Sequence, residues 1–277
     1  MKVSVKVPAT TANLGPGFDC MGLALPIYNT VTIEETVLPG TGIEINVIAD
    51  EDSTDEFSLE HIPMDENSII YKAVELLYNS IGQTPSELKI NIHSQIPIAR
   101  GLGSSASVIV GGLTLTSSEE DGSIVYRKID WPEEWTLTVC IPEYELSTDI
   151  SRSVLPKEVP MQDAVYNAQR MGMFIQAVHT RDSALMKLAL KDRLHQPYRM
   201  KLVPGLEKII ENLKHEENVL GCVLSGAGPS ILIISEKNNL DRIKAIVRDT
   251  WNDLNVKAEI LTLPVEKQGA QVISNDE

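Results

Sequence analysis

The segment that most constrains the fold is "IPIARGLGSSASVIVGG", residues 96–112. It continues from "LKINIHSQI", which alternates with period two and predicts a strand. Gly101 and Gly103 then predict a loop, and Ser104 or Ser105 is a suitable N-cap for a helix. The first N–H groups of a helix have no intrahelical partner, and glycines allow a close approach to the backbone. The segment therefore predicts a strand, a loop and a helix arranged around a phosphate group.

Two common phosphate-binding patterns are excluded, and a structural alternative stays open. No lysine follows the last glycine, as a P-loop requires, and the dinucleotide pattern Gly-x-Gly-x-x-Gly fails at Ala106. The alternative is a glycine–serine turn with a serine N-cap and no ligand. The segment taken alone does not decide between the two.

Charge and hydropathy exclude several classes of protein. The 277 residues carry a net charge of −15, whereas nucleic acids and anionic membranes are bound by basic surfaces. No apolar run approaches the roughly 20 residues that cross a bilayer, and the N-terminus lacks the apolar core of a signal peptide. We therefore expect a cytoplasmic protein that binds neither nucleic acid nor membrane.

Strand and helix patterns are mixed along the chain and predict an α+β fold with two domains. Period-two segments dominate the first half, whereas a helical region begins with "MQDAVYNAQRMGMFIQAVHT" after Pro160. A boundary near Leu155 gives a mixed α/β domain over residues 1–155 and an α+β sandwich over residues 156–277. The polar tail "VEKQGAQVISNDE" is expected to be loose.

Two further glycine-rich segments accompany the loop: "VPATTANLGPGFDCMGLAL" near the N-terminus and "GCVLSGAGPSILIIS" near the C-terminus. In this order, the three segments resemble the GHMP kinase superfamily. "LSTDISRSVLPKEVP" (residues 146–160) and "HQPYRMKLVPG" (residues 195–205) resemble its homoserine kinase branch. The resemblance runs from Val5 to about Leu263. It implies an N-terminal domain with a phosphate-binding loop and a C-terminal ferredoxin-like α+β sandwich.

The resemblance also implies an activity, the transfer of the γ-phosphoryl group of ATP to the side-chain hydroxyl of L-homoserine in threonine biosynthesis. Mg²⁺ is the implied cofactor, and Ser105 resembles the metal-contacting serine of the superfamily. A homodimer is expected at the level of the family. The residues implied in ATP binding are Ile96, Pro97, Ile98, Ala99, Arg100, Gly101, Leu102, Gly103, Ser104, Ser105 and Ala106.

The same resemblance implies a set of substrate residues and a loop that shapes the site. Asp19 and Arg152 are the candidates for a catalytic role. The residues implied at the amino-acid substrate are Asn13, Asp19, Thr148, Arg152 and Arg199. The residues implied to pack against the first glycine-rich segment are Ser225, Gly226 and Gly228.

The chemistry of homoserine suits these residue types. A carboxylate favours a planar guanidinium, which Arg152 and Arg199 offer, and an ammonium needs an acceptor such as Asp19. Each residue also has an ordinary alternative: Asp19 can cap a turn, Arg152 can be solvated, and Arg199 can pair with surface acids. His195 lies inside a matching segment but is expected to be structural.

The helix after the phosphate loop is too short for the family. Only residues 106–110 follow the serines, which is about one and a half turns, before Gly111 and Gly112 lead into a strand pattern. We expect some tens of residues to be absent between Val110 and Leu113. The metal-binding glutamate of the family falls in that stretch. If those residues belong to the protein and form a mobile segment, the chain is expected to be broken between Gly111 and Gly112, whereas an unbroken chain would indicate a shortened relative.

Three functions therefore compete. The first is homoserine kinase, and the second is another GHMP kinase that acts on mevalonate or a sugar. The third is a relative that binds ligand without transferring phosphate, which a true deletion would favour.

Overall fold

Two sheets organise the chain in the computed structural model, which describes residues 2–35, 43–49, 65, 68–82, 87–103, 113–118 and 124–273. The strands are β1 (Lys2–Asn13), β2 (Gly17–Glu35), β3 (Ile43–Ala49), β4 (Leu88–Ser94), β5 (Leu113–Ser118), β6 (Ile124–Ile129), β7 (Trp135–Pro142), β8 (Val219–Leu224), β9 (Ile231–Glu236), β10 (Ala258–Leu263) and β11 (Gln271–Ile273). The helices are α1 (Ile69–Ser80), α2 (Thr148–Ser153), α3 (Met161–Thr180), α4 (Ser183–Ala189), α5 (Gln196–Arg199), α6 (Leu206–Leu213) and α7 (Leu240–Asn252).

The first sheet has the order β11-β1-β2-β4-β3, and β5 pairs with β2 and β6 beside this path. Its centre is the antiparallel pair of β1 and β2, while β3 and β4 run parallel. The pairing of β1 with β2 shifts register at Pro8/Ala9 and again at Ala12/Asn13. The second shift lies at the turn between the two strands, where a β-bulge redirects the backbone. This turn carries the first glycine-rich segment.

The second sheet is antiparallel, with the order β10-β7-β9-β8. The run "ILII" in β9 has no polar alternation, which predicts burial on both faces. Ile231 and Ile233 pack with residues of α6 and α7, whereas Leu232 and Ile234 pack with residues of α3 and α4. The sheet therefore lies between two helical layers, as the prediction of an α+β sandwich required.

The two sheets share one hydrophobic core. Leu23 and Leu25 of β2 belong to the same cluster of buried side chains as Leu137 of β7 and Phe174 of α3. Burying one such side chain contributes roughly 1.5–3 kcal/mol. The shared core fixes β2 and its turn relative to the second sheet.

Strand pairing crosses the expected boundary at residue 155 in both directions. β7 precedes the boundary but belongs to the second sheet, and β11 follows it but pairs with β1. The division into residues 1–155 and 156–277 stays a prediction. The expectation of a loose tail is wrong for Gln271–Ile273, because these residues form β11.

Most elements agree with the patterns in the sequence. α1 ends near Gly82, which has a φ of 71°, and "LTLTSS" forms β5. The short helix and the chain break expected within residues 104–112 lie outside the described residues.

Candidate active site

Three loops meet where the two sheets join. We define them as the N-terminal loop (residues 13–19), the phosphate loop (residues 96–103) and the C-terminal glycine turn (residues 225–229). The N–H of Thr10 in β1 donates to Leu102 O of the phosphate loop at 3.0 Å. The N–H of Ser230 donates to Arg100 O at 3.2 Å, and the N–H of Gly226 donates to Ala12 O at 3.1 Å. The phosphate loop and the C-terminal glycine turn are thus both hydrogen-bonded to β1, the strand that leads into the N-terminal loop.

The hydroxyl of Ser225 connects the C-terminal glycine turn with the phosphate loop and with β1. Its Oγ lies 2.7 Å from Gly101 O and 2.9 Å from Thr11 Oγ1. Because a carbonyl only accepts, Ser225 donates to Gly101 and accepts from Thr11. The C-terminal glycine turn therefore lies against β1, in the first glycine-rich segment.

The glycines of the phosphate loop are needed for its packing against neighbouring loops. Gly101 has a φ of 75°, and a Cβ there would lie 2.3 Å from Ser225 O. Gly103 has a φ of 72°, and a Cβ there would lie 1.8 Å from Thr10 Oγ1. Real Cβ contacts are never so short, so a larger residue at either position displaces the loop. A side chain at either position would clash with neighbouring protein atoms, whether or not it also blocks the binding of phosphate.

A cavity of about 290 Å³ opens between the three loops. The predicted substrate residues Asn13, Asp19, Thr148, Arg152 and Arg199 all line it. The phosphate loop contributes residues 99–103, and the C-terminal glycine turn contributes Gly226. The cavity is also lined by Thr10, Ala12 and Ala227, which lie inside the quoted glycine-rich segments but were not singled out. Ser104, Ser105 and Ala106 lie outside the described residues.

Parts of the phosphate loop face the protein interior. Ile96 is buried in the core, and its N–H donates to Asn29 Oδ1 at 3.0 Å. Arg100 is buried, and its Nη1 donates to Pro142 O at 2.6 Å, at the end of β7. Arg100 therefore anchors the loop to the second sheet.

Asn13 stabilises the turn between β1 and β2 through two hydrogen bonds of its side-chain amide. Its Nδ2 donates to Gly226 O at 2.8 Å, and its Oδ1 accepts from the N–H of Asp19 at 3.0 Å. Asn13 and Asp19 both have positive φ values, of 74° and 55°. Such left-handed backbone is costly for residues other than glycine and persists where the surroundings hold it. An amide has four hydrogen-bonding positions, so Asn13 keeps one N–H and one lone pair for a ligand.

Arg199 is a buried cation that lines the cavity on the side of α5. It is only 2% exposed, and its Nε donates to Ser151 O at 3.1 Å. Its Nη1 lies 3.4 Å from Gly226 O and 3.5 Å from His195 Nδ1. Burial lowers the pKa of Arg199, and the nearby Asp19 opposes this shift. Within the described residues no carboxylate lies within 4 Å of the guanidinium, so an anionic ligand would complete its surroundings.

Asp19 and Arg152 form the open side of the cavity. Arg152 Nη2 lies 4.0 Å from Asp19 Oδ2, and the two side chains are 62% and 58% exposed. Arg152 lies on α2, which begins at Thr148 and is capped by Ser147, whose side chain accepts from the N–H of Ile150 at 3.2 Å. A pair this exposed is weakly bound, so both side chains can turn towards a ligand.

Comparisons with known proteins identify the family. The pattern of the GHMP kinases N terminal domain matches residues 68–122, and that of GHMP kinases C terminal matches residues 174–253. Homoserine kinase from Caldicellulosiruptor saccharolyticus is 36% identical, over 98% of this chain and 97% of its own length. Homoserine kinase from Persephonella marina is 32% identical, over 98% of this chain and 99% of its own length.

The chain belongs to the homoserine kinase family. The predicted fold, the two-domain GHMP kinase fold of class α+β, is confirmed with it. The crystal structure of homoserine kinase from Cytophaga hutchinsonii superimposes with a TM-score of 0.84 and 22% identity. That superposition covers 98% of this chain and 97% of the other.

The homoserine kinase relatives are longer than this chain. The alignment with the Caldicellulosiruptor protein spans 311 residues, whereas this chain has 277. The relative therefore has residues without a counterpart here, and the place expected for absent residues stays a prediction. Their expected place, between Val110 and Leu113, touches residues outside the described part of the chain.

No group of three or more His, Cys, Asp or Glu side chains in the described residues could hold a metal ion. None of the helices in the described part of the chain combines the length and apolar character needed to cross a membrane.

Proposed function

We propose that the protein transfers the γ-phosphoryl group of ATP to the side-chain hydroxyl of L-homoserine and forms O-phospho-L-homoserine. The observation that carries this proposal is Arg199, a buried cation without a carboxylate partner among the described residues, in the same cavity as the phosphate loop. A kinase that acts on an amino acid needs an anchor for a carboxylate beside a site for phosphate. Both are present around one cavity of about 290 Å³.

The amino-acid end of the substrate would be held by three side chains. Arg199 and Arg152 bind the carboxylate, because guanidinium groups form charge-assisted hydrogen bonds with it. Asp19 accepts from the ammonium group, since it is the carboxylate that lines the described part of the cavity. With both charged groups fixed, the hydroxyl is directed towards the phosphate loop.

Positioning is the main contribution of these residues to the reaction. Phosphoryl transfer proceeds through a loose transition state, so alignment and charge neutralisation matter more than covalent chemistry. Arg152 on the open side can neutralise developing charge, which is the catalytic role proposed for it. A role for Asp19 as a base stays a prediction.

Magnesium belongs to this proposal through the family resemblance. The described residues do not form a metal site by themselves, so no step is assigned to the ion. Mg²⁺ bound with ATP would neutralise phosphate charge, and Ser105 is the proposed protein contact. The homodimer and the cytoplasmic location also stay predictions.

The proposal is tested by measuring ADP release with L-homoserine, mevalonate, galactose and L-serine at equal concentrations. L-Homoserine should be the preferred acceptor, and mass spectrometry should show one added phosphoryl group on it. Preference for mevalonate or a sugar would assign the protein to another GHMP kinase activity.

A ligand-binding relative without transferase activity is the second candidate. It is favoured by the residues that the longer relatives have and this chain lacks. Calorimetric binding of homoserine without any ADP release would support this candidate. An intact mass of 30.5 kDa for the purified protein would show that those residues are truly deleted.

A further inference from the structure

His195 lies directly behind the substrate cavity. The ring is fully buried, and its Nε2 lies 2.8 Å from Gly15 O of the N-terminal loop. Its Nδ1 lies 3.5 Å from Nη1 of Arg199. The ring of Phe18 stacks on His195 with centroids 5.1 Å apart, and the guanidinium of Arg199 lies 5.2 Å from the same Phe18 ring. His195 thus connects the N-terminal loop with the buried arginine.

The two contacts of His195 determine its proton. Gly15 O can only accept, so Nε2 carries a hydrogen. The guanidinium of Arg199 can only donate, so Nδ1 must be an unprotonated acceptor. The arrangement therefore requires the neutral ring with hydrogen on Nε2. Burial lowers the pKa of His195 below its ordinary value of 6.5, which favours the same neutral form.

Asp192 lies 3.6 Å from His195 Nε2, but its carboxylate has other donors. It accepts from the backbone N–H groups of residues 194, 195 and 196 at 2.7–3.0 Å. It also accepts from Asn167 Nδ2 at 2.7 Å. Its negative charge is thus shared among four donors, and it fixes the start of α5 rather than holding a proton on the ring.

The contacts of Arg199 leave one nitrogen for a ligand. Ser151 O takes the Nε hydrogen, while Gly226 O and His195 Nδ1 take the two hydrogens of Nη1. No described protein acceptor bonds Nη2, although Arg199 lines the cavity. Acceptors at both Nε and Nη1 hold the guanidinium at more than one edge and fix its plane, because the group is rigid and planar.

We infer that His195 is a positioning residue, whose neutral Nδ1 holds Arg199 so that Nη2 is presented to the substrate carboxylate. The inference rests on the proposed function. Without this acceptor, Nη1 has no partner on the His195 side, and the guanidinium can rotate away from the cavity. Binding of the amino-acid substrate would be weakened, whereas binding of ATP would not.

Two substitutions separate the contacts of His195. In His195→Gln the amide extends towards Gly15 and keeps a donor there, but the acceptor beside Arg199 is lost. In His195→Asn the shorter amide keeps an acceptor beside Arg199, but the donor to Gly15 is lost. We expect the Gln variant to raise KM for homoserine about tenfold, as loss of one hydrogen bond to a charged group predicts. The Asn variant should stay within about twofold of the parent, and KM for ATP should change little in both.

The opposite order would overturn the inference. If His195 only anchored Gly15, Asn would be the harmful variant and Gln the tolerated one. Equal effects, or no effect, would also contradict it. The exposed His215→Gln is the matched control, and thermal unfolding of every variant shows whether it is folded.

A pH profile adds a measurement that a merely structural role would not change. Protonation of His195 removes the acceptor and places a second cation beside Arg199, so KM for homoserine should rise as the pH falls below 6.5. The charged groups that face the ring are Asp192, Asp19 and Arg199, and the first two favour protonation. His195→Asn should show a flatter acid limb than the parent. An identical limb in both proteins would overturn the inference.

The parent enzyme separates this inference from the proposed function. If the parent does not phosphorylate homoserine, both fail. If the parent is active and His195→Gln leaves its KM unchanged, the positioning role fails alone.

Discussion

Arg199 and Arg152, two of the arginines that line the cavity, differ in how firmly the protein holds them before any ligand binds. Arg199 is buried, and three protein acceptors fix its guanidinium. Arg152 is 62% exposed and has one distant partner, Asp19, at 4.0 Å. The buried side of the cavity is therefore arranged in advance, whereas the open side can adjust to the substrate. Prearranged groups lose little entropy on binding and contribute most to affinity.

The largest expected effect is on the buried side. Arg199→Ala should lower kcat/KM for homoserine by roughly 30-fold or more, because breaking a buried charge pair costs about 2–5 kcal/mol. Arg199→Lys should recover little, since one ammonium cannot reproduce the three inner contacts. Steady-state kinetics with homoserine and ATP varied separately would test this. Equal losses of affinity for ATP and homoserine would contradict the assigned role.

The next effect tests the packing of the phosphate loop, which lines the same cavity as the two arginines. Gly101→Ala should destabilise the protein by roughly 1–3 kcal/mol, because its positive φ and its contact with Ser225 O exclude a Cβ. Gly103→Val should abolish nucleotide binding, because the new side chain meets Thr10. Gly172→Ala is the matched control in α3, where nothing lies within 4 Å. It should stabilise the helix by roughly 0.5–1 kcal/mol. Thermal unfolding would measure the stability of all three variants, and titration with ATP would measure nucleotide binding by Gly103→Val. Equal stabilities for Gly101→Ala and Gly172→Ala would refute the packing role.

A smaller effect is expected on the open side. Arg152→Ala should raise KM for homoserine only about 1.4- to fivefold, because exposed pairs contribute about 0.2–1 kcal/mol and the substrate can adjust. Added salt should weaken the contribution of Arg152 more than that of Arg199, since exposed charges are screened. Measuring KM for homoserine at low and high potassium chloride, in the parent and in both alanine variants, would separate the two contributions. A loss as large as that of Arg199→Ala would remove the distinction between the two sides.

The smallest effect concerns stability and pH. The folded-state pKa of His195 is lowered below 6.5, so the unfolded chain binds the proton more readily. Its contribution to stability is therefore present above pH 6.5 and is lost as the pH falls through the lower folded-state value. His195→Asn should show a weaker loss of stability over this range. Urea unfolding at several pH values would measure it, and parallel curves for the two proteins would exclude a contribution from His195.

The sequence predicted the fold well, because its signals are local. The periods of β4, β7 and α3 follow from neighbouring residues alone. β11 was missed because three residues, two of them exposed, form a strand only when β1 is beside them. Its pairing depends on residues nearly the whole chain away.

The candidate site was predictable through its glycine-rich segments, but its contacts were not. Thr10 was not singled out, although it is the residue that excludes a side chain at Gly103. His195 was expected to be structural, and nothing in its segment indicates that Gly15 and Arg199 occupy its two nitrogens. Such contacts depend on how distant loops are oriented relative to one another, and the periodicity of the sequence does not predict that orientation.

The contact between Asn13 and Gly226 has a consequence for the synthesis of the protein. The two residues are 213 positions apart, and Thr11 and Ser225 are 214 apart. At translation rates of about 5–20 residues per second, the N-terminal turn waits roughly 10–40 s for its partner to leave the ribosome. During that time the turn has the local hydrogen bond between Asp19 and Asn13 but lacks the bond from Asn13 to Gly226. A nascent chain should therefore bind neither substrate until nearly all of it has emerged, so ligands would stabilise only finished molecules.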